Sequence, residues 1–302
     1  MHGLPVKKWS TTRAPSGRVA YVNGRYLPHG SAGVHIEDRA LQLGDGVYEV
    51  CNVLNGCPAD QEPHLDRLER SLRELGMDMP MGRAALKLVM REVIARNRIA
   101  NGLLYLQVTR GAVKRDHVPP ANAPRPTLII TMRAQDMDAL AKRLENGIAI
   151  STQPDIRWGR CDIKTVQLLP NLMAKEAAKK NGALEAWLVD DDGYVTEGAS
   201  TTAWIVDGEG AIITRDLSNA ILPGVTRRVM LDAAAEAQLK IVERKFTVAE
   251  AKKAKEAFIS SATGAGVPVV KIDDAVIGDG TPGALTVRLR GLYAAYVSRK
   301  NA

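Results

Sequence analysis

Apolar and polar residues alternate from Val19 to Leu27 around Asn23-Gly24. That pair predicts a two-residue hairpin, because both central residues of a type I′ turn need positive φ. Val47 to Leu54 is rich in β-branched residues and stops at a second such pair, Asn55-Gly56, so a strand closed by a turn is expected there. The period then changes. Leu65, Leu68, Leu72 and Leu75 recur at helical spacing as far as Gly76, and a second helix is expected from Gly82 to Asn97 with Leu86, Val89, Met90, Val93 and Ile94 inward. Strands are expected at Leu103–Thr109 and Thr127–Met132, which makes the first lobe α+β.

Between Met132 and Leu144 the β pattern lapses into Arg133-Ala134-Gln135-Asp136-Met137-Asp138, read as a connector between two lobes. Beyond it, strands at Gly147–Thr152, Ala186–Val189, Ala203–Val206 and Ala257–Ser260 are expected to alternate with helices near Asn171–Lys180, Thr226–Ala237 and Thr247–Ala254, and a last helix spans Ala284–Arg299. Thr247 with Glu250 forms a capping box, and Gly182 is a stop for the helix before it. The expected organisation is a flexible extension 1–18, a small lobe 19–134, a linker 135–143 and a large lobe 144–302. No internal repeat is evident.

A chain of 302 residues, 45% of them apolar, can bury two modest cores. The net charge of +7 favours anionic partners such as phosphates and carboxylates. Nucleic acid is disfavoured: there are two Phe, and the basic residues are spread along amphipathic helices instead of being interleaved with aromatics. Cys51, Cys57 and Cys161 form an odd, widely spaced set without a CxxC pair, so neither a disulfide framework nor a metal site is suggested. No apolar h-region follows Met1 and no run of about 18 apolar residues occurs. A cytoplasmic protein without a membrane span is expected.

Four stretches carry candidate chemistry. Asp162-Ile163-Lys164-Thr165 precedes Leu168-Leu169-Pro170-Asn171 at a helix start; alone, Lys164 reads as surface charge. Val195-Thr196-Glu197-Gly198-Ala199-Ser200 follows an Asp191-Asp192-Gly193 turn, and Glu197 alone reads as a strand-end carboxylate. Ile221-Leu222-Pro223-Gly224-Val225-Thr226-Arg227 is a Pro-Gly turn entering a helix, whose N–H groups and Thr226 hydroxyl suit a phosphate. Phe258 to Gly264 is a strand ending in small hydroxyl residues, also compatible with phosphate.

Together and in this order, the four stretches resemble the fold-type IV, or class IV, aminotransferases, and the resemblance runs from Tyr21 to about Tyr296. It implies a two-lobed α+β enzyme with a smaller N-terminal lobe and a larger lobe built on a β-barrel-like sheet, using pyridoxal 5′-phosphate (PLP). By resemblance Lys164 carries the cofactor and shuttles the proton, and Glu197 pairs with the pyridine nitrogen, keeping it protonated so that the ring can draw in electrons. Val225, Thr226 and the arginine of His64-Leu65-Asp66-Arg67-Leu68 are implied as phosphate ligands, with Leu222 beneath the ring. Ser261, Ala262 and Thr263 form the second phosphate loop, in which Ala262 departs from the usual hydroxyl residue.

Asp38 to Val50 matches the small-lobe signature of that family and places Tyr48 towards the cofactor, with Val50 as a further substrate contact. Arg115 and His117 resemble the R-x-H of D-amino-acid aminotransferases, which with Tyr48 traps the α-carboxylate and comes partly from the partner subunit of a homodimer. Thr202 departs from the Asn expected there, which bears on the support of Glu197. The implied reaction moves the amino group of a D-amino acid such as D-alanine to a 2-oxo acid, 2-oxoglutarate giving D-glutamate. A branched-chain L-aminotransferase, an (R)-amine transaminase, an aminodeoxychorismate lyase and a non-catalytic PLP-bearing scaffold remain as rivals.

Overall fold

The structure, a computed structural model, describes residues 17–122 and 124–301; all but the last two residues of the expected N-terminal extension lie outside them. The Asn23-Gly24 hairpin forms as β1 (Val19–Val22) and β2 (Arg25–Pro28), with Asn23 at φ 45° and Gly24 at φ 88°. After a short helix α1 (Arg39–Leu43) come β3 (Gly46–Leu54) and β4 (Cys57–Pro58), turned by Asn55 and Gly56, also at positive φ. Helices α2 (Gln61–Glu74) and α3 (Arg83–Asn97) precede β5 (Gly102–Thr109) and β6 (Thr127–Ala134). The sheet order is β2-β1-β6-β5-β3-β4. Leu65, Leu68 and Leu72 of α2 and Leu86, Met90 and Val93 of α3 bury against Leu104, Leu106, Leu128 and Ile130.

The stretch expected as a connector is mostly helix, α4 (Met137–Asn146). Its polar run is a cap and an exposed face: the Asp136 carboxylate accepts from Ala139 N at 2.9 Å, while Leu144 packs on the core of the second lobe. An N-cap carboxylate followed by an apolar residue every fourth position or so reads as a helix once the cap is recognised.

The second lobe contains β7 (Ile148–Pro154), α5 (Leu169–Lys180), β8 (Glu185–Val189), β9 (Val195–Gly198), β10 (Thr202–Val206), β11 (Ile212–Thr214), α6 (Val225–Glu236), β12 (Ile241–Glu243), α7 (Val248–Lys252), β13 (Glu256–Ser261), β14 (Gly264–Ile272), β15 (Ala275–Val276) and α8 (Ala284–Asn301). Its nine-stranded sheet runs β12-β11-β10-β13-β14-β7-β8-β9, with β15 on β14. Strands β9 and β10 lie far apart in that order, yet only residues 199–201 join them. The sheet must therefore curl until the two meet, and Gly198 N donates to Thr201 O at 2.7 Å across the closure. A Cβ on Gly198 would fall 2.1 Å from Thr201 Oγ1, which is why the residue after Glu197 has none. The barrel interior is filled by Ile150, Trp187, Ile205, Phe246 and Ile259, and Met230 of α6 with Leu289 of α8 covers the outer face at Trp204 and Phe258.

Half of the expected capping box is present. Thr247 Oγ1 accepts from Glu250 N at 3.1 Å, but the Glu250 carboxylate pairs with Arg244 instead of returning to the cap. No helix among the described residues is long and apolar enough to cross a membrane.

Candidate active site

The loop leaving β7 runs back along the start of β3, and this contact fixes Lys164. Tyr48 N donates to Lys164 O at 3.0 Å, Val166 N donates to Gly46 O at 3.0 Å, and Val47 and Thr165 form an isolated antiparallel bridge. The Lys164 backbone is thus held like a strand residue, while its Nζ stands 4.3 Å from the centre of the Tyr48 ring, within cation–π range. Tyr48 is stacked in turn on Tyr105, ring centres 5.6 Å apart.

Glu197 is buried on β9. Both carboxylate oxygens accept from Leu222 N at 3.2 Å, and Arg157 Nη1 pairs with Oε1. Arg157 also forks onto Asp155, Nε to Oδ1 at 2.8 Å and Nη2 to Oδ2 at 2.7 Å, and donates to Ala220 O at 3.0 Å. Thr196 Oγ1 donates to the same Asp155 at 2.6 Å. Burial pushes the Glu197 carboxyl above its ordinary range, an effect that Arg157, the Leu222 N–H and Lys164 oppose. Thr202, where support for Glu197 was in question, instead lies against the next loop: a Cβ on Gly224 would sit 3.1 Å from its Oγ1.

That loop is the Pro223-Gly224 turn. Gly224 is the N-cap of α6 and supplies no capping side chain, so the N–H groups of Val225 and Thr226 begin a helix of twelve residues at its positive end. Arg67 Nη1 donates to Pro223 O at 3.1 Å, tying the first lobe to the turn. The other edge of this guanidinium forks onto Glu49, Nε to Oε1 at 2.7 Å and Nη2 to Oε2 at 2.8 Å, and His64 Nδ1 lies 2.8 Å from the same carboxylate. Glu49 was not singled out in the sequence. It is fully buried on the side of β3 that carries Val47, Cys51 and Val53, and a carboxylate at a core position of an alternating strand is the signal that would have found it.

Burial alone would raise the Glu49 carboxyl, but Arg67 and His64 outweigh burial and hold it at about 2, against an ordinary 4.5. A depressed carboxylate stabilises the fold above its unfolded value and loses that contribution as pH falls through the folded one. Urea titrations between pH 4.5 and pH 2 are therefore expected to show a loss of about 3 kcal/mol attributable to this group, and Glu49→Gln is expected to flatten that part of the profile. An unchanged slope in the variant would assign the acid loss elsewhere.

A single cavity of about 1190 Å³ is lined by Lys164, Glu197, Arg67, Leu222, Val225, Thr226, Ser261, Ala262, Thr263, Tyr48 and Val50. Ser261 and Thr263 share a hydroxyl contact of 2.9 Å at its edge. Arg115 and His117 are not in its wall; both are exposed. Their loop is anchored by Arg39, which donates to Asp116 O at 2.6 Å and to His117 O at 3.2 Å, and His117 borders a smaller hollow with Trp158 and Gln167. The wall also holds Arg157, Trp158, Tyr105, Thr131, Arg18 and Arg133, for which no motif gave a sign.

Comparison with known proteins adds three findings. The chain matches the family model described as Amino-transferase class IV over residues 46–272. It is 39% identical over 264 residues to the D-alanine aminotransferase of Bacillus licheniformis, covering 87% of this chain and 92% of that one, and 37% identical over 282 residues to that of Staphylococcus haemolyticus, covering 93% and 99%. Among solved structures, a hypothetical aminotransferase from Mycobacterium tuberculosis in its PLP-bound form shares the fold, with a TM-score of 0.80 at 22% identity, covering 93% of this chain and 99% of that one.

Proposed function

The chain belongs to the class IV aminotransferases, and from that premise we propose that it is a PLP-dependent transaminase moving the amino group of a D-amino acid, D-alanine or one like it, to 2-oxoglutarate. The observation that carries the reading is the convergence on one cavity of Lys164, Glu197 and the uncapped start of α6. The sequence kinship to D-alanine aminotransferases supports the D-amino-acid side of it.

The donor set fits PLP on physical grounds. A primary amine suits an aldehyde, a carboxylate suits a protonated ring nitrogen, and helix N–H groups with a hydroxyl beside a side-chain-free Gly224 suit a phosphate ester. When bound, PLP supplies the electron sink that makes the substrate Cα–H acidic. Lys164 then provides the amine that anchors the group and afterwards moves the proton at Cα. Glu197 holds the ring nitrogen's proton; a carboxyl raised by burial, as this one is, has a proton affinity closer to that of a pyridine nitrogen than a solvated carboxylate has. Val225 and Thr226, at the start of α6, would hold the phosphate, and Ser261, Ala262 and Thr263 of the same cavity wall would offer it further contacts. Arg67 contributes positive charge while fixing the Pro223 turn. Leu222, in the cavity wall, would give the ring an apolar contact, and Tyr48, whose ring centre is 4.3 Å from Lys164 Nζ, would shield the amine.

The α-carboxylate requires a cation fixed relative to Lys164. We propose a homodimer in which Arg115 and His117 of the partner subunit reach over the cavity beside Tyr48 and Val50. Exposed Val118 in that loop, with exposed Ile36 and Leu41 on the segment that Arg39 ties to it, gives it an apolar surface to pack. The three cysteines are unpaired, which suits a reducing cytoplasm.

Mixing purified holoenzyme separately with D-alanine and with L-leucine, and following its visible absorption band, tests the reading. Loss of the band with D-alanine alone is expected. Loss with L-leucine alone would overturn the D-amino-acid assignment; D-alanine should release a single equivalent of pyruvate per site, so pyruvate released over many turnovers from aminodeoxychorismate with no amino acceptor would make the protein a lyase.

A further inference from the structure

Two arginines at the far end of the cavity, Arg18 and Arg133, have no carboxylate partner among the described residues. The side chain of Arg133 makes no hydrogen bond, ion pair or ring contact with any described residue and lines the cavity wall. Arg18 lines the same wall, and its guanidinium donates from Nε and Nη2 to the carbonyl of Met132, the residue before Arg133, at 3.0 and 2.6 Å. The β1–β6 register, Tyr21 opposite Ile130 and Val22 opposite Ile129, carried back three residues puts Arg18 opposite Arg133. Like charges across strands repel, and neither arginine has a carboxylate partner among the described residues. A pair of this kind facing a cavity is built for an anion that arrives from outside.

The sheet says which anion. On β6, Leu128, Ile130 and Met132 are in the core, so strand alternation turns Thr131 and Arg133 to the cavity. Val50, Tyr105 and Thr131 lie side by side on β3, β5 and β6, with Leu103 and Arg133 in the next row. A continuous face therefore leads from Tyr48, beside Lys164, to Arg133 two strands away, a distance of about 10 Å between the strand axes. The carbon that exchanges its amino group, and the α-carboxylate attached to it, must stay at Lys164; a second carboxylate at the end of the side chain would point along this face.

We infer that Arg133, with Arg18 beside it, binds the distal carboxylate of a dicarboxylic substrate, so that these two arginines set the preference for 2-oxoglutarate and D-glutamate over monocarboxylic partners. This rests on the transaminase reading. The guanidinium of Arg133 makes the contact. Arg18, held by the Met132 carbonyl, adds charge and keeps Arg133 from folding back over β1.

The test is the half-reaction of holoenzyme with D-glutamate and with D-alanine, in the wild type, Arg133→Leu and Arg133→Lys. In Arg133→Leu the rate constant per unit concentration is expected to fall about 10- to 100-fold for D-glutamate through weaker binding, and to stay within about twofold for D-alanine. Arg133→Lys should recover part of the loss, and the wild-type preference should shrink with added salt. Equal losses for both substrates would put the arginine on the α-carboxylate or on the fold and overturn the inference, as would no loss for either or a wild type that reacts with D-alanine but not D-glutamate. A wild type inert to both D-amino acids would instead refute the transaminase reading itself.

Discussion

Lys164→Ala is expected to abolish amino-group transfer, with a fall of at least about 10³-fold in kcat, because it removes both the anchoring amine and the group that moves the proton at Cα. The fold should survive. The Lys164 position is held through its backbone, by Tyr48 N to Lys164 O, Val166 N to Gly46 O and the bridge between Val47 and Thr165, none of which involves the side chain. What the variant gives up is the approach of Nζ to the Tyr48 ring, worth about 1 kcal/mol or less at a half-exposed site. Circular dichroism and the urea midpoint should therefore match the wild type, while the visible band is displaced to that of non-covalently held cofactor. Activity within about tenfold of wild type in a folded, cofactor-loaded variant would remove Lys164 from the chemistry and leave the cavity without a base. A small added amine restoring part of the rate would argue that the amine is the missing part.

Much of this arrangement is legible in the sequence, and the parts that are not share a reason. Asn23-Gly24 and Asn55-Gly56 announce their turns because few residue pairs tolerate successive positive φ, and both are found there. Lys164, Glu197 and Thr226 were legible only as a set, by resemblance, because none carries a local signal of its own. Strand β14 has no strand pattern in the sequence, although it pairs along both sides with β13 and β7. Gly264, Gly266 and Pro268 in it read as turn residues, and the sheet tolerates them through register shifts on either side. Glu49 is inconspicuous inside an alternating strand. Arg157 and Arg133 read in sequence as polar residues of a loop and of a connector. What makes each of them notable is what lies across from it in space: Arg67 and His64 for Glu49, Glu197 and Asp155 for Arg157, and no acid among the described residues for Arg133.

Arg157 carries the second large effect. It is a positioning residue, reaching the reaction only through Glu197, and its removal is expected to move the acid limb of the kcat–pH profile to higher pH. Burial already raises the Glu197 carboxyl, and Arg157, the Leu222 N–H and the more distant Lys164 hold it down. Arg157→Met removes the largest of these opposing influences, so Glu197 keeps its own proton to higher pH and ceases to hold the one on the ring nitrogen. At neutral pH kcat should fall by about 10- to 100-fold, and it should recover as the medium is made alkaline. The same shift has a signature in the apoprotein. A carboxyl raised above its unfolded value of about 4.5 stabilises the fold below that pH and loses the contribution as pH rises through the folded value. Urea midpoints of Arg157→Met should therefore decline from pH 4.5 upward more steeply than those of the wild type. Because Arg157 is what holds the Asp155 carboxyl down against burial, that group adds to the same decline with rising pH, and loss of the fork leaves Asp155 unpaired, at a cost of about 3 to 5 kcal/mol where a buried pair is broken. Should that prevent folding, Arg157→Lys serves instead: one ammonium cannot fork both carboxylates, so a smaller displacement in the same direction is expected. A profile that falls evenly at every pH would mean that Arg157 supports the barrel closure and not the charge state of Glu197.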